Sequence, residues 1–170
     1  KHNSQLTMRH CQVCNTQRTG LLVTDRGAAA AENCCFSRSQ DSNIVVKDGG
    51  ALKLRECECN GSRKEAGLCV SGRGSYASVI ASSFNSNSGP GVIVGSPWGS
   101  QIGGEVKLQG CTCNDDMGSS LVVLSRRRAA TAKETSICGN RQSNVRVAEG
   151  GRTVLEKSRC DASKDGMGLF

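Results

Sequence analysis

A short apolar strand led by Gly, Asn or Ser recurs through nearly the whole chain, and its period constrains the fold more than any other feature. The copies are Gly20-Leu21-Leu22-Val23, Asn43-Ile44-Val45-Val46, Gly67-Leu68-Cys69-Val70, Gly91-Val92-Ile93-Val94, Ser120-Leu121-Val122-Val123, Asn144-Val145-Arg146-Val147 and Gly168-Leu169-Phe170. Their starts lie 23, 24, 24, 29, 24 and 24 residues apart. A β-rich unit of that length, repeated, points to a solenoid, in which each unit buries its faces only by stacking on its neighbours.

A second strand follows each first one. Gly50-Ala51-Leu52-Lys53-Leu54-Arg55-Glu56-Cys57-Glu58-Cys59-Asn60 is the clearest copy. The stretches from Gly104 to Asn114 and from Gly151 to Asp161 match it position for position, and those from Gly27 to Ser37 and from Ser75 to Asn85 fit with weaker residues. The copy from Ala130 to Cys138 is degenerate and leaves its register open. Strand side chains alternate between two faces. Leu52, Leu54, Cys57 and Cys59 therefore share one face, and Lys53, Arg55 and Glu58 the other. The change of phase between Leu54 and Cys57 requires a bend that passes the chain from one sheet to the next. At roughly 4.8 Å per rung, seven rungs make a rod on the order of 30 Å long. The run Ala28-Ala29-Ala30-Ala31 favours helix by propensity, but the repeat register assigns it to a strand.

With these motifs the chain resembles the right-handed parallel β-helix repeat family, the fold of pectate-lyase-like proteins and of many non-enzymatic ones. The resemblance runs from about Leu6 to Phe170. It rests on Gly-apolar-x-apolar, then Gly-small, then apolar-x-apolar-x-x-Cys-x-Cys/Phe-Asn. It implies an all-β, single-stranded right-handed parallel β-helix of about seven rungs, with ~24 residues per rung. One domain over 1–170 is expected, with 1–19 an incomplete N-terminal rung, 95–102 an inserted loop and 168–170 the start of a further rung. A start at Lys1 rather than Met suggests a processed or truncated chain, and a rung opening at Phe170 suggests an end covered by another protein.

Twenty-one glycines suit the many tight corners of such a coil. The 11 cysteines fall into columns. Cys11, Cys34, Cys57 and Cys111 occupy one, with Ser82 and Ser158. Cys59, Cys113, Cys138 and Cys160 occupy another, with Val13, Phe36 and Phe84. A column that accepts Ser, Phe or Val is a packing column, where free Cys acts as a small hydrophobe. Reduced thiols favour an intracellular or organellar interior. A bridge between stacked Cys34 and Cys57 is the alternative. His10 with Cys11-x-x-Cys14 and Cys34-Cys35 is the best zinc candidate, but no second CxxC completes a four-ligand set. No metal or cofactor is expected. Asn60, Asn85 and Asn114, with Asp161, Ser37 and Gly139 in equivalent positions, read as a corner ladder bonding along the axis.

The function is sought on the outward face of the first strand. Leu22, Val45, Cys69, Ile93 and Val122 alternate with inward residues, and only Arg146 breaks the row. A contiguous apolar stripe of this kind marks a partner surface or is covered within the chain. Trp98, in the five extra residues of the long rung, and the run Arg126-Arg127-Arg128 would sit at its rim. The net charge of +7 comes without the stacking aromatics that nucleic-acid binding uses, so no nucleic acid is expected. No run of about 20 apolar residues is present, so membrane contact would be indirect.

Enzymes of the resembled family act on polysaccharides through clustered Asp, Arg, Lys or His on an outer sheet face. Here the remaining outer positions Thr24, Lys47, Ser71, Gly95, Leu124 and Ala148 hold no carboxylate, and Asp115-Asp116 lies in a corner. The expected function is therefore a non-catalytic structural or accessory module. It would dock on a protein partner, as a subunit of a larger organellar or membrane assembly. The alternative is a carbohydrate-active β-helix: a polysaccharide lyase, hydrolase, epimerase or sugar-binding module.

Overall fold

A computed structural model describes residues 4–95, 103–124, 129–161 and 163–165. Its strands, in chain order, are β1 (Gln5–Arg9), β2 (Gln12–Cys14), β3 (Leu21–Val23), β4 (Ala28–Glu32), β5 (Cys35–Ser37), β6 (Ile44–Val46), β7 (Ala51–Arg55) and β8 (Leu68–Val70). They continue as β9 (Tyr76–Ile80), β10 (Val92–Gly95), β11 (Glu105–Gln109), β12 (Leu121–Leu124), β13 (Ala129–Lys133), β14 (Val145–Ala148) and β15 (Arg152–Glu156). Every strand pairing is parallel and joins one rung to the next. The order β1-β4-β7-β9-β11-β13-β15 forms a seven-stranded sheet, and β14-β12-β10-β8-β6-β3 a six-stranded one. A third face starts as the β2–β5 pair and continues through single bridges at Glu58, Ser83, Thr112, Ser136 and Arg159. The molecule is thus an all-β parallel solenoid of about six full turns, one fewer than the seven expected. Ala28–Ala31 lies in β4, because each backbone group there pairs with β1 and β7. The repeated register outweighs the helical propensity of alanine.

The interior is a set of stacked columns. Leu52, Leu54, Leu68, Val70, Val92, Val94, Leu108 and Leu121 are all buried in it. The bend between the seven-stranded sheet and the third face recurs in every rung. His10, Asn33, Glu56, Ala81, Gly110, Glu134 and Lys157 each adopt a positive φ there. The next residue always turns a thiol or hydroxyl back onto a carbonyl: Cys11, Cys34, Cys57, Ser82, Cys111, Thr135 and Ser158 each donate to the residue two before. This explains why that column takes Cys, Ser and Thr alike. It needs a small side chain with one donor, which adds a second hydrogen bond to a carbonyl that, from Glu32 to Glu156, already accepts a backbone N–H from the neighbouring rung.

The second cysteine column differs from its expected membership at one place. The bridges from Thr112 to Ser136 and from Ser136 to Arg159 put Ile137, not Cys138, between Cys113 and Cys160. Ile137 is fully buried, whereas Cys138 is half-buried and joins the Asn column on the outer side. The larger apolar side chain takes the interior place, and Cys138 replaces Gly139 as the equivalent of Asn114 and Asp161. All 11 cysteines are free. Burial pushes the Cys57, Cys59, Cys111 and Cys113 thiols up, so they stay protonated in their columns.

Two polar ladders hold the corners. In the outer one, Asn60 accepts from the Asn85 backbone N–H at 2.7 Å, Asn85 from that of Asn114 at 2.9 Å, and Asn114 from that of Cys138 at 2.8 Å. The inner one was not foreseen. Asn43, Asn87, Asp116, Asn140 and Asn144 are all buried in the same turn, just beyond the outer ladder, where Asn43 and Asn144 donate to the Asn60 and Asp161 carbonyls. Asn43 bonds Asn87 at 3.4 Å, Asn87 gives both its backbone and side-chain N–H to Asp116 Oδ1, and Asn140 accepts the Asp116 N–H and donates to Asn144. Gly91 is required beside this ladder, since a Cβ there would lie 2.6 Å from Asp116 Oδ2 and 2.9 Å from the Phe84 carbonyl oxygen.

Candidate interaction surface

The outward row of the six-stranded sheet is built by alternation. Ile44 and Val46, Leu68 and Val70, Val92 and Val94 are fully buried, so the residues between them project away from the interior. Register aligns Leu22, Val45, Cys69, Ile93, Val122 and Arg146 across the six strands. Their exposure is uneven. Leu22 is 51% exposed, Val45 and Cys69 are half-buried, and Arg146 is exposed. Ile93 and Val122 are only 6% and 5% exposed. The expectation of five exposed stripe residues therefore needs correction. Ile93 and Val122 form a satellite cluster with Ala66, against which Cys69 and Leu124 also pack. Direction along a strand is set by alternation, but coverage depends on what the corners bring over the face. Gly95 ends β10, and Gly103 is bridged antiparallel to Ser71. Burial also lifts the Cys69 thiol to about 11, with the Glu65 carboxylate adding to the shift.

The open part of the row therefore contracts to the first two rungs. Leu22 lies beside Leu6, which is 44% exposed, and the two line a shallow concavity of about 320 Å³ with Leu21, Thr24, Ala28 and Ala29. Lys47 follows β6 at its edge and is exposed, with its ammonium 4.0 Å from Asp48. Trp98 and Arg126, Arg127 and Arg128, the expected rim, lie outside the described residues.

A second surface escaped the sequence reading. On the outer side of the seven-stranded sheet, Thr7, Ala30, Lys53 and Ser78 align in one row. Arg9, Glu32, Arg55 and Ile80 flank them in the next. Small side chains between long ones leave a shallow trough of about 330 Å³. A second hollow of about 210 Å³ continues it past Ala51 and Tyr76. Lys107 lies on the next strand, paired with Ser78, with its ammonium 5.8 Å from the Tyr76 ring centre and 3.6 Å from Glu105. Arg9 and Glu32 sit 3.6 Å apart and are solvated, so they contribute little to stability. The signal in the sequence was the small residues Thr7, Ala30 and Ser78 at one repeat position among Lys and Arg.

The sequence-predicted chemical groups do not converge. Cys11 and Cys34 turn toward the interior, and Cys14 and Cys35 turn out, so His10 and these cysteines form no common cage. Among the described residues, no group of three or more His, Cys, Asp or Glu is placed to hold a metal ion. Asp115 and Asp116 part company: Asp115 is exposed, 3.5 Å from Lys164, and Asp116 is buried. Desolvation raises Asp116 to about 7, against the lowering effect of hydrogen bonds from Ser120 and Asn87. Among the described residues, no helix is long and apolar enough to cross a membrane.

A family profile described as right handed beta helix region matches residues 1–129. The chain belongs to the right-handed β-helix family. No curated protein and no solved structure matches it. In this β-helix, the two surfaces that a ligand or partner could use lie on different sheets and meet around the corner between β3 and β4, at Leu6, Leu22 and Ala28.

Proposed function

We propose that this β-helix is a non-catalytic module that docks on a protein partner within a larger assembly, through the open end of its outward apolar row. The observation that carries the reading is Leu22, the most exposed large aliphatic side chain of the row, beside exposed Leu6 on the next sheet. Covering such side chains contributes about 2 kcal/mol each. Val45 extends the patch by one rung, and Lys47 gives it a charged edge. The covered part of the row, Ile93 and Val122, supports the reading by contrast, since the fold packs apolar residues of this row away where it can.

Gel filtration of native material without detergent, followed by lysine cross-linking and mass spectrometry, tests it. The expected result is a large complex with Lys47 linked to another chain. Leu22→Asp combined with Val45→Asp is expected to weaken that complex by about 100-fold or more. A monomer whose Lys47 links only within the chain would sink the docking reading.

The second reading is a carbohydrate-active or sugar-binding β-helix. It is favoured by the trough on the seven-stranded sheet, where Tyr76, Lys53 and Arg55 surround small residues. A polysaccharide-binding screen decides it, and loss of binding in Tyr76→Ala and Lys53→Ala would locate the ligand in that trough.

A further inference from the structure

The third face carries two outward thiols that neither the packing columns nor the docking surface uses. Val13 and Phe36 pair across β2 and β5 and turn inward, so Cys14 and Cys35, one residue to either side, turn out. Both are half-buried. Ser37 stands between them: it pairs directly with Cys14 in the register and lies two residues beyond Cys35 on the same face of β5. The Cys35 thiol donates to Ser37 Oγ at 3.5 Å, and Ser37 Oγ donates to Cys14 Sγ at 3.2 Å. This chain of donors has a direction. It ends on the Cys14 sulfur, which accepts, and begins on Cys35, which keeps its proton.

We propose that Cys14 and Cys35 form a reactive dithiol toward low-molecular-weight disulfides, with Cys14 attacking and Cys35 resolving, and that it closes a Cys14–Cys35 disulfide between the first and second rungs. The charges agree with the geometry. The Ser37 hydrogen bond, with a smaller contribution from the Arg38 guanidinium, holds the Cys14 thiol below its ordinary value. Burial first, then the neighbouring Cys14 and the Glu58 carboxylate, hold Cys35 above it. A thiolate attacks, and a protonated neighbour waits to resolve.

The steps balance. The Cys14 thiolate attacks one sulfur of the small disulfide, forms a mixed disulfide and expels a thiolate, which takes up the proton Cys14 had released. Cys35 then loses its proton to water and attacks the Cys14 sulfur. The Cys14–Cys35 bond forms, the mixed bond breaks, and a second small thiolate leaves and is protonated. Two protein thiols are oxidised, and one small disulfide is reduced to two thiols. Diagonal neighbours on a sheet lie about 7–8 Å apart, and a disulfide spans ~4.4–6.8 Å between Cα atoms, so one strand must shift by about 1 Å. β2 is free to do so, because in its sheet it pairs only with β5.

The test treats the reduced protein with oxidised glutathione, traps remaining thiols with N-ethylmaleimide and maps the products by mass spectrometry. Cys138 is the internal reference, since it occupies the same column as Cys14 and is also half-buried but has no resolving partner assigned. The expected product is a Cys14–Cys35 linkage formed at least about 10-fold faster than adducts at Cys138. Cys35→Ser should halt at a glutathionyl adduct on Cys14, and Ser37→Ala should slow the first step by about 3–10-fold. In the unaltered chain, which needs no variant to fold, alkylation of Cys14 should begin at lower pH than that of Cys35. The proposal is overturned if Cys14 reacts no faster than Cys138, if the linkage joins other cysteines, or if the unaltered chain stops at the mixed disulfide.

Discussion

Replacing Asp116 with asparagine is expected to stabilise the protein at pH 8 and to remove a pH dependence on the order of 4 kcal/mol. Asp116 is buried, and its carboxyl is raised from 3.8 to about 7 by desolvation. The Ser120 hydroxyl has one proton to give, yet its Oγ lies 2.7 Å from the Cys113 carbonyl oxygen, 2.5 Å from Asp116 Oδ2 and 2.6 Å from Asn140 Oδ1. A protonated Asp116 relieves the shortage by donating to Ser120, which then serves another acceptor. Between about pH 4 and 7 the folded chain keeps this proton and the unfolded chain has lost it. Stability therefore falls as pH rises through that window and levels off above it. About three units at 1.36 kcal/mol each give the stated magnitude. Asparagine keeps an oxygen for the two Asn87 donors and offers an N–H to Ser120, so it continues the ladder without a charge. Urea melts of both proteins at pH 4.5, 6 and 8 measure the difference. A difference that stays flat with pH would remove Asp116 as its source.

Phe84→Ala carries the next largest expected effect, a loss of about 3–5 kcal/mol. Phe84 is fully buried in the column between Cys59 and Cys113, which are also fully buried. Those neighbours are small and held by strand pairing, so they cannot close over the space. Phe84→Cys should cost less than Phe84→Ala, because cysteine already packs at this repeat position on either side. The urea midpoint is expected to drop with little change in slope. A loss of under about 1 kcal/mol for alanine would mean that the column collapses freely and does not set the rung spacing.

Much of this architecture could be read from the sequence because a solenoid repeats its reasons. The Gly- or Asn-led triplets, the apolar-x-apolar strands and the Cys-x-Cys-Asn corners each mark one physical requirement per rung. Where a rung loses these marks, the reading slips. Thr135-Ser136-Ile137-Cys138 offered a cysteine for the expected place, and the structure gave that place to the bulkier Ile137. The inner ladder of Asn43, Asn87, Asp116, Asn140 and Asn144 was hidden because its residues look like ordinary turn formers. Only the buried corner distinguishes them from Asn60, Asn85 and Asn114. The face of each stripe residue was legible from alternation, but the burial of Ile93 and Val122 was not, since it depends on packing with Ala66, ahead of β8, and with Leu124 at the end of β12. The trough at Thr7, Ala30 and Ser78 was missed because small residues on a strand's outer side become a signal only when read against the long Lys and Arg side chains of the neighbouring rungs.

The 29-residue rung shows how such a molecule tolerates change. Val92 still pairs with Leu121, and Val106 with Ala77, although the spacing on that rung departs from its neighbours. The extra residues fall between β10 and β11, and the described columns keep their phase beyond them. The stack therefore does not count residues; it aligns contacts. Segments added or lost between β10 and β11 therefore leave the register of the rod intact. A lineage, or an engineer, can rewrite the message there without redesigning the page.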